Sequence, residues 1–182
     1  MPLTQENEKT ELIQGREIAM SPASIRHIAI LRNLAIIVGN FLRGKRCQLF
    51  LEAEVVFDNE NKFAPDLIVV CDPGKIKKNN INGAPDFIVE ILSPSTRRRD
   101  ITIKKDIYEK YGVKEYWIIS PKEEAIEVYL LHDGTYVLDN AYHNFDEEDW
   151  AALSEAEKAE QQLSLKISLY SDLEIQVKDI FE

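Results

Sequence analysis

The sequence predicts a mixed α/β (α+β) fold, one mixed β-sheet flanked by helices, and three observations carry that expectation. Apolar or alternating runs of strand length recur from position 47 to the C-terminus, a strongly periodic helix precedes them, and a second helix separates two of them. With 182 residues, 45% hydrophobic and 30% charged, the chain suits a single domain spanning 1–182, and it shows neither a solenoid-type repeat nor a low-complexity linker.

The first element is a short hairpin or extended segment around Gly15 in "ELIQGREIAM". In "SPASIRHIAILRNLAIIVGNFLRG", Ser21 suits the cap of a helix, Pro22 its first turn, and Gly44 the position after its end. Helical spacing gives that segment a core stripe of Ile28, Leu31, Ala35, Val38 and Leu42. "CQLFLEAEVVF" and "FAPDLIVV" read as strands joined by the turn "DNEN", a candidate hairpin. After the loop "DPGKIKKNNING" comes the strand "PDFIVEIL", then a loop opened by "SPST". Asp100 is the predicted N-cap of a helix from Ile101 to Tyr111, with Gly112 as its stop. "EYWIIS" is the next strand, followed by a hairpin through "HDG", where Asp-Gly favours a tight turn. An acidic helical insertion near 145–162 follows, capped by Ser154 and Glu157, and the tail supplies one more extended segment and a closing turn.

A net charge of −10 argues against a protein that coats nucleic acid. The distribution is uneven, however: acidic residues crowd 146–160, whereas basic residues outnumber acidic ones between Arg97 and Lys114. No apolar run approaches the roughly 20 residues of a membrane span. "MPLTQENEKT" lacks the basic and apolar parts of a leader, so a cytoplasmic location is expected. Cys47 and Cys71 fit no ligand spacing and are expected to be reduced, structural thiols. The absence of Walker-type and dinucleotide-binding loops speaks against ATP hydrolysis and hydride transfer.

Chemistry concentrates at Glu90, a carboxylate between Ile88 and Leu92 on one face of an apolar strand. Such a group needs a basic partner, a raised pKa or a metal. Asp66 begins a neighbouring predicted strand, so the two carboxylates are placed to converge on a hard cation such as Mg²⁺. Lys104 and Tyr108, four residues apart, share a helix face beside the stripe Ile103, Ile107 and Tyr111, which is expected to pack. From the edge of that stripe Lys104 would reach the carboxylates and offset charge on a phosphoryl group. Glu54 is a weaker candidate for a second metal, and His27 is a packing histidine before it is a base. Glu11 carries no assigned chemistry, and Arg97, Arg98 and Arg99 read first as a charged loop tip, with contact to phosphates as the alternative.

Taken together, "ELIQGREIAMSP", His27, "APDLIVV", "GAPDFIVEILSPSTRRRD", Lys104, Tyr108 and "GVKEYWIISP" resemble the Uma-type "putative restriction endonuclease" family of the PD-(D/E)XK nuclease superfamily. The likeness is strong over residues 11 to 131 and loose in the tail. It implies a restriction-endonuclease-like fold and an endonuclease that hydrolyses phosphodiester bonds of DNA with Mg²⁺ or Mn²⁺. Asp66, Glu90 and the main-chain carbonyl of Ile91 would be metal ligands and Lys104 the catalytic lysine. Leu92 stands where the superfamily's usual lysine would be, two residues after the glutamate, and related nucleases move that lysine to the following helix. Asp86, in its own Pro-Asp context, is read as structural. The competing expectation is an inactive nuclease fold acting as a nucleic-acid-binding or assembly module. A homodimer is the expected state.

Overall fold

The computed structural model describes residues 9–182. The expectation drawn from "MPLTQENEKT" falls almost wholly on residues 1–8, outside the described residues. Along the chain come β1 (Thr10–Ile13), β2 (Arg16–Ala19), helix α1 (Ile25–Leu42), β3 (Gln48–Leu51), β4 (Val55–Val56), β5 (Lys62–Phe63) and β6 (Leu67–Val70). A single 3-10 turn then leads to β7 (Ile81–Asn82) and β8 (Phe87–Ile91). Helix α2 (Arg97–Arg99) passes through a π-helical turn, Asp100–Lys104, into α3 (Lys105–Tyr111). The remainder is β9 (Glu115–Ser120), β10 (Ala125–His132), β11 (Thr135–His143), α4 (Glu147–Ala152), α5 (Glu155–Glu160), the hairpin β12 (Ser164–Ile167) and β13 (Tyr170–Gln176), and α6 (Val177–Phe181).

The central sheet has the order β11-β10-β9-β8-β6-β3, antiparallel except where β8 and β9 run parallel. A parallel pair needs a crossover, and the helical segment from Arg97 to Tyr111 supplies it. Gly112 ends that segment with a left-handed φ of 81°, the conformation glycine adopts without a Cβ clash. Both faces of the sheet are covered, which explains why every residue of β8 is buried and why the strand reads as an unbroken apolar run interrupted only by Glu90. One face packs α1, α6 and the β12–β13 hairpin against Leu67, Phe87, Val89 and Trp117. The other packs α3 and the small sheet β2-β1-β5-β4-β7 against Ile68, Ile88, Tyr116 and Ile118.

Several expectations shift in detail. The candidate hairpin between residues 47 and 70 exists, but it is broken between Leu51 and Val55, so its base joins the central sheet and its tip the small one. Helix α1 is capped by Ser24, not Ser21: the Ser24 hydroxyl accepts the His27 amide, so winding begins at Ile25. Its buried side is consequently His27, Ile30, Leu31, Leu34, Val38 and Leu42, and Ile28, expected inside, is half exposed. This helix has a mean hydropathy of 1.4 over 18 residues, long and apolar enough by length and composition to cross a membrane, which the run lengths in the sequence did not suggest. The second helix starts three residues before Asp100, which is therefore an internal residue and not a cap. The tail holds a two-stranded hairpin where one extended segment was expected. Cys47 and Cys71 form a disulfide, contrary to the expectation of free thiols. The register Gln48↔Val70 carries them to facing positions, an adjacency that their separation of 24 residues does not reveal. The "HDG" turn, with Asp133 and Gly134 both at positive φ, and the capping box at Ser154 form as expected.

Candidate active site

The register of β6 against β8, Leu67↔Val89, continued by one step sets Asp66 across from Glu90. Side chains facing each other across an antiparallel pair lie on the same side of the sheet, so two short sequence signals 24 residues apart meet at one end of the sheet. They open on a cavity of about 520 Å³ whose wall includes Glu11, His27, Asp66, Glu90, Arg99 and Lys104.

Each member is positioned by a different element. Asp66 Oδ1 lies 2.9 Å from His27 Nε2 of α1, and its Oδ2 accepts the main-chain N–H of Ile91 at 2.6 Å. Glu90 Oε1 accepts from Lys104 Nζ at 3.1 Å and from the Tyr108 hydroxyl at 2.6 Å. Lys104 Nζ also donates to Glu11 Oε1 at 2.9 Å and lies 3.5 Å from Asp100 Oδ1. Glu11 comes from β1, which pairs with β5 at Leu12↔Lys62, and its Oε1 accepts the N–H of Ala64 just before Asp66. The π-helical turn keeps Asp100 and Lys104 on the buried side, in line with Tyr108 one turn on. π-turns inside helices are often found at functional sites.

Lys104 is 3% exposed and Tyr108 fully buried, so the face they share packs more deeply than the stripe expected beside it, where Ile103 and Tyr111 are only partly covered. Leu92, at the superfamily's usual lysine position, is 6% exposed and belongs to the core. The ammonium reaches Glu90 from the helix instead.

Charge crowding sets the electrostatics. Burial drives the Glu90 pKa well above the ordinary carboxylate range; Lys104 opposes this, while Asp100, Asp66 and Glu11 add to it. Asp100 is raised by burial too, again against the pull of Lys104. Burial alone would lower the Lys104 pKa, but the surrounding carboxylates outweigh it and the net shift is upward. For His27 likewise, burial lowers the pKa but the hydrogen bond to Asp66 and the charge of Asp66 raise it above its ordinary value. The His27 Nδ1 and Asp100 Oδ1 atoms are buried without a hydrogen-bond partner.

Glu54 is exposed and does not line the cavity; Glu52 does, held at a φ of 47° and paired with Lys9. Glu11, Asp100 and Glu52 are site groups to which the sequence assigned no chemistry. Glu11 and Asp100 lie within motif-like segments of the sequence, whereas nothing marked Glu52 in advance. Among the described residues, no three His, Cys, Asp or Glu side chains enclose a metal by themselves. Asp66, Glu90 and Ile91 all line the cavity, and carboxylate and carbonyl oxygens are donors of the kind Mg²⁺ takes while keeping several waters.

The family described as Uma2, "Putative restriction endonuclease", matches residues 1–174. An uncharacterized protein of Synechocystis sp. is 30% identical over 165 residues, 89% of this chain and 79% of its own length. A second uncharacterized Synechocystis protein is 27% identical over 130 residues, 69% of this chain and 73% of its own length. The crystal structure of a "putative nuclease belonging to DUF820" from Anabaena variabilis superposes with a TM-score of 0.73 at 22% identity, covering 98% of this chain and 93% of that one. At that identity the superposition speaks for the fold.

Proposed function

The chain belongs to the Uma2 family, described as "Putative restriction endonuclease", and on that premise we propose that it is a metal-dependent endonuclease hydrolysing phosphodiester bonds of DNA. One observation carries the reading: Asp66 and Glu90, from adjacent antiparallel strands, open on one cavity together with an ammonium that touches Glu90. A divalent cation fits this donor set, because the carboxylates crowded around Glu90 leave negative charge that a single buried lysine does not balance. Asp66, Glu90 and the Ile91 carbonyl would hold Mg²⁺ or Mn²⁺, with water completing the shell. When bound, such an ion polarises a phosphoryl oxygen and lowers the pKa of an attacking water.

The protein's own groups prepare that arrangement. Lys104 ties Glu90 to Glu11 and holds both carboxylates at the cavity wall. The Tyr108 hydroxyl fixes the rotation of Glu90 through its 2.6 Å bond to Oε1. His27 and the Ile91 N–H hold one oxygen each of Asp66, leaving the remaining lone pairs directed by two anchors.

The test is nicking of supercoiled DNA by the purified protein in Mg²⁺ or Mn²⁺. Asp66→Ala and Glu90→Ala are expected to abolish nicking while leaving the circular dichroism spectrum intact; undiminished nicking by those variants refutes the reading. Mn²⁺ binding with no cleavage by the wild type would favour the alternative, a nuclease fold that binds nucleic acid or assembles without cutting it.

A further inference from the structure

In the proposed site Lys104 has no capacity left for a substrate. Its ammonium is 3% exposed, bonded to Glu11 and Glu90 and near Asp100, so it cannot turn toward a phosphate without uncovering a buried carboxylate. Lys9, at the cavity mouth, is paired with Glu52. A phosphodiester entering this cavity would meet Glu11, Asp66 and Glu90, and even with one divalent cation present it would need a further positive group.

Arg99 is such a group. Three consecutive arginines on a helix point about 100° apart, so a single one can face the cavity. Arg97 turns toward Glu123, with 3.7 Å between charged atoms, and Arg98 is exposed. Arg99 lines the cavity, and its Nε is buried with no hydrogen-bond partner. Among the described residues it forms no ion pair. A buried donor without a partner costs free energy, and a guanidinium offers a planar fork that matches two oxygens of one phosphate.

We propose that Arg99 forms a phosphate subsite in the cavity, next to the carboxylate pair, and that Lys104 acts as a positioning residue for Glu90 and Glu11. The proposal rests on the nuclease reading for its substrate and on the cavity alone for its anion chemistry, and the two separate experimentally.

The protein is titrated first with inorganic phosphate, following the Arg99 Nε–H resonance, which is assigned by its disappearance in Arg99→Lys. A saturable shift at Arg99, larger than at Arg98, is expected. Binding of a short fluorescein-labelled DNA duplex is then measured in Ca²⁺ at several salt concentrations. Arg99→Ala should weaken it about tenfold or more, the scale of one lost charge-assisted contact, and reduce the salt slope by about one. Arg98→Ala should change affinity by less than about twofold, as an exposed charge does. An Arg99 resonance unmoved by phosphate, or a DNA affinity unchanged in Arg99→Ala, overturns the subsite while leaving the nuclease reading intact. If phosphate seats on Arg99 but the wild type binds no DNA, the subsite stands and the nuclease reading fails. Should Arg99→Ala not fold, Arg99→Lys serves instead: it keeps the charge, loses the fork, and is expected to weaken DNA binding more than Arg98→Ala does. An Arg99→Lys variant that binds DNA as tightly as the wild type then overturns the subsite.

Discussion

Two strands of the central sheet begin with the same three residues, Ala64-Pro65-Asp66 before β6 and Ala84-Pro85-Asp86 before β8, yet the two aspartates do different work. Because the strands are antiparallel neighbours, the two tripeptides lie at opposite ends of the pair. Asp66 sits at the end where Glu90 emerges, bonded to His27 and the Ile91 N–H and open to the cavity. Asp86 sits at the other end, where its carboxylate accepts the Cys71 N–H at 2.8 Å and pairs with Lys114 at 2.7 Å. Burial works against ionisation of Asp86, but Lys114 and the Cys71 N–H outweigh it and hold the pKa below the usual range. What separates the proposed metal ligand from a strut is thus what the adjacent strand brings to that end, since the tripeptide itself is identical.

The sharpest way to break this comparison is to exchange the fates of the two aspartates. Asp66→Asn or Glu90→Gln should lower DNA cleavage by at least about a thousandfold, the scale of losing several kcal/mol of charge stabilisation, while Asp86→Asn cleaves like the wild type. Nicking rates measured side by side decide it, and equal losses at Asp66 and Asp86 would dissolve the distinction. Next in size, Lys104→Met leaves Glu11, Glu90 and Asp100 buried without their cation. It should cost about 3–5 kcal/mol in urea unfolding, most of which returns when Glu90→Gln and Glu11→Gln are added.

At the other end of the sheet, Asp86→Ala strands the Cys71 N–H and should cost about 1–3 kcal/mol. Its pH dependence has a definite sign. A carboxyl with a depressed folded pKa stabilises above its unfolded value of about 3.9, and that contribution disappears as pH falls through the folded value. The stability difference between wild type and Asp86→Asn should therefore be constant at neutral pH and shrink below about pH 4. Smallest of all, Tyr108→Phe removes one hydrogen bond to Glu90 and should destabilise by about 1–2 kcal/mol, with a modest fall in cleavage and the fold unchanged.

Local pattern was enough to place the strands around Asp66 and Glu90, the helix that crosses between β8 and β9, and the Lys104–Tyr108 pair, because each depends on spacing within one or two neighbouring elements. Glu11 could not be placed in that way: it meets Lys104 across a sequence separation of 93, through a small sheet whose pairings are one to four residues long. Asp100 reads as a cap because an aspartate before an apolar helix ordinarily is one, and the π-helical turn that buries it leaves no mark in the residue pattern. The disulfide was missed for the same reason as Glu11, a contact set by strand register and not by spacing.

Calorimetric titration with Mn²⁺ tests the central claim most directly, because it asks about the carboxylate pair without requiring a substrate. Wild type and Asp86→Asn are predicted to bind Mn²⁺ alike, and Asp66→Asn and Glu90→Gln to lose that binding while unfolding cooperatively as the wild type does. Mn²⁺ binding that survives in both site variants, or that is absent from the folded wild type, would contradict the account.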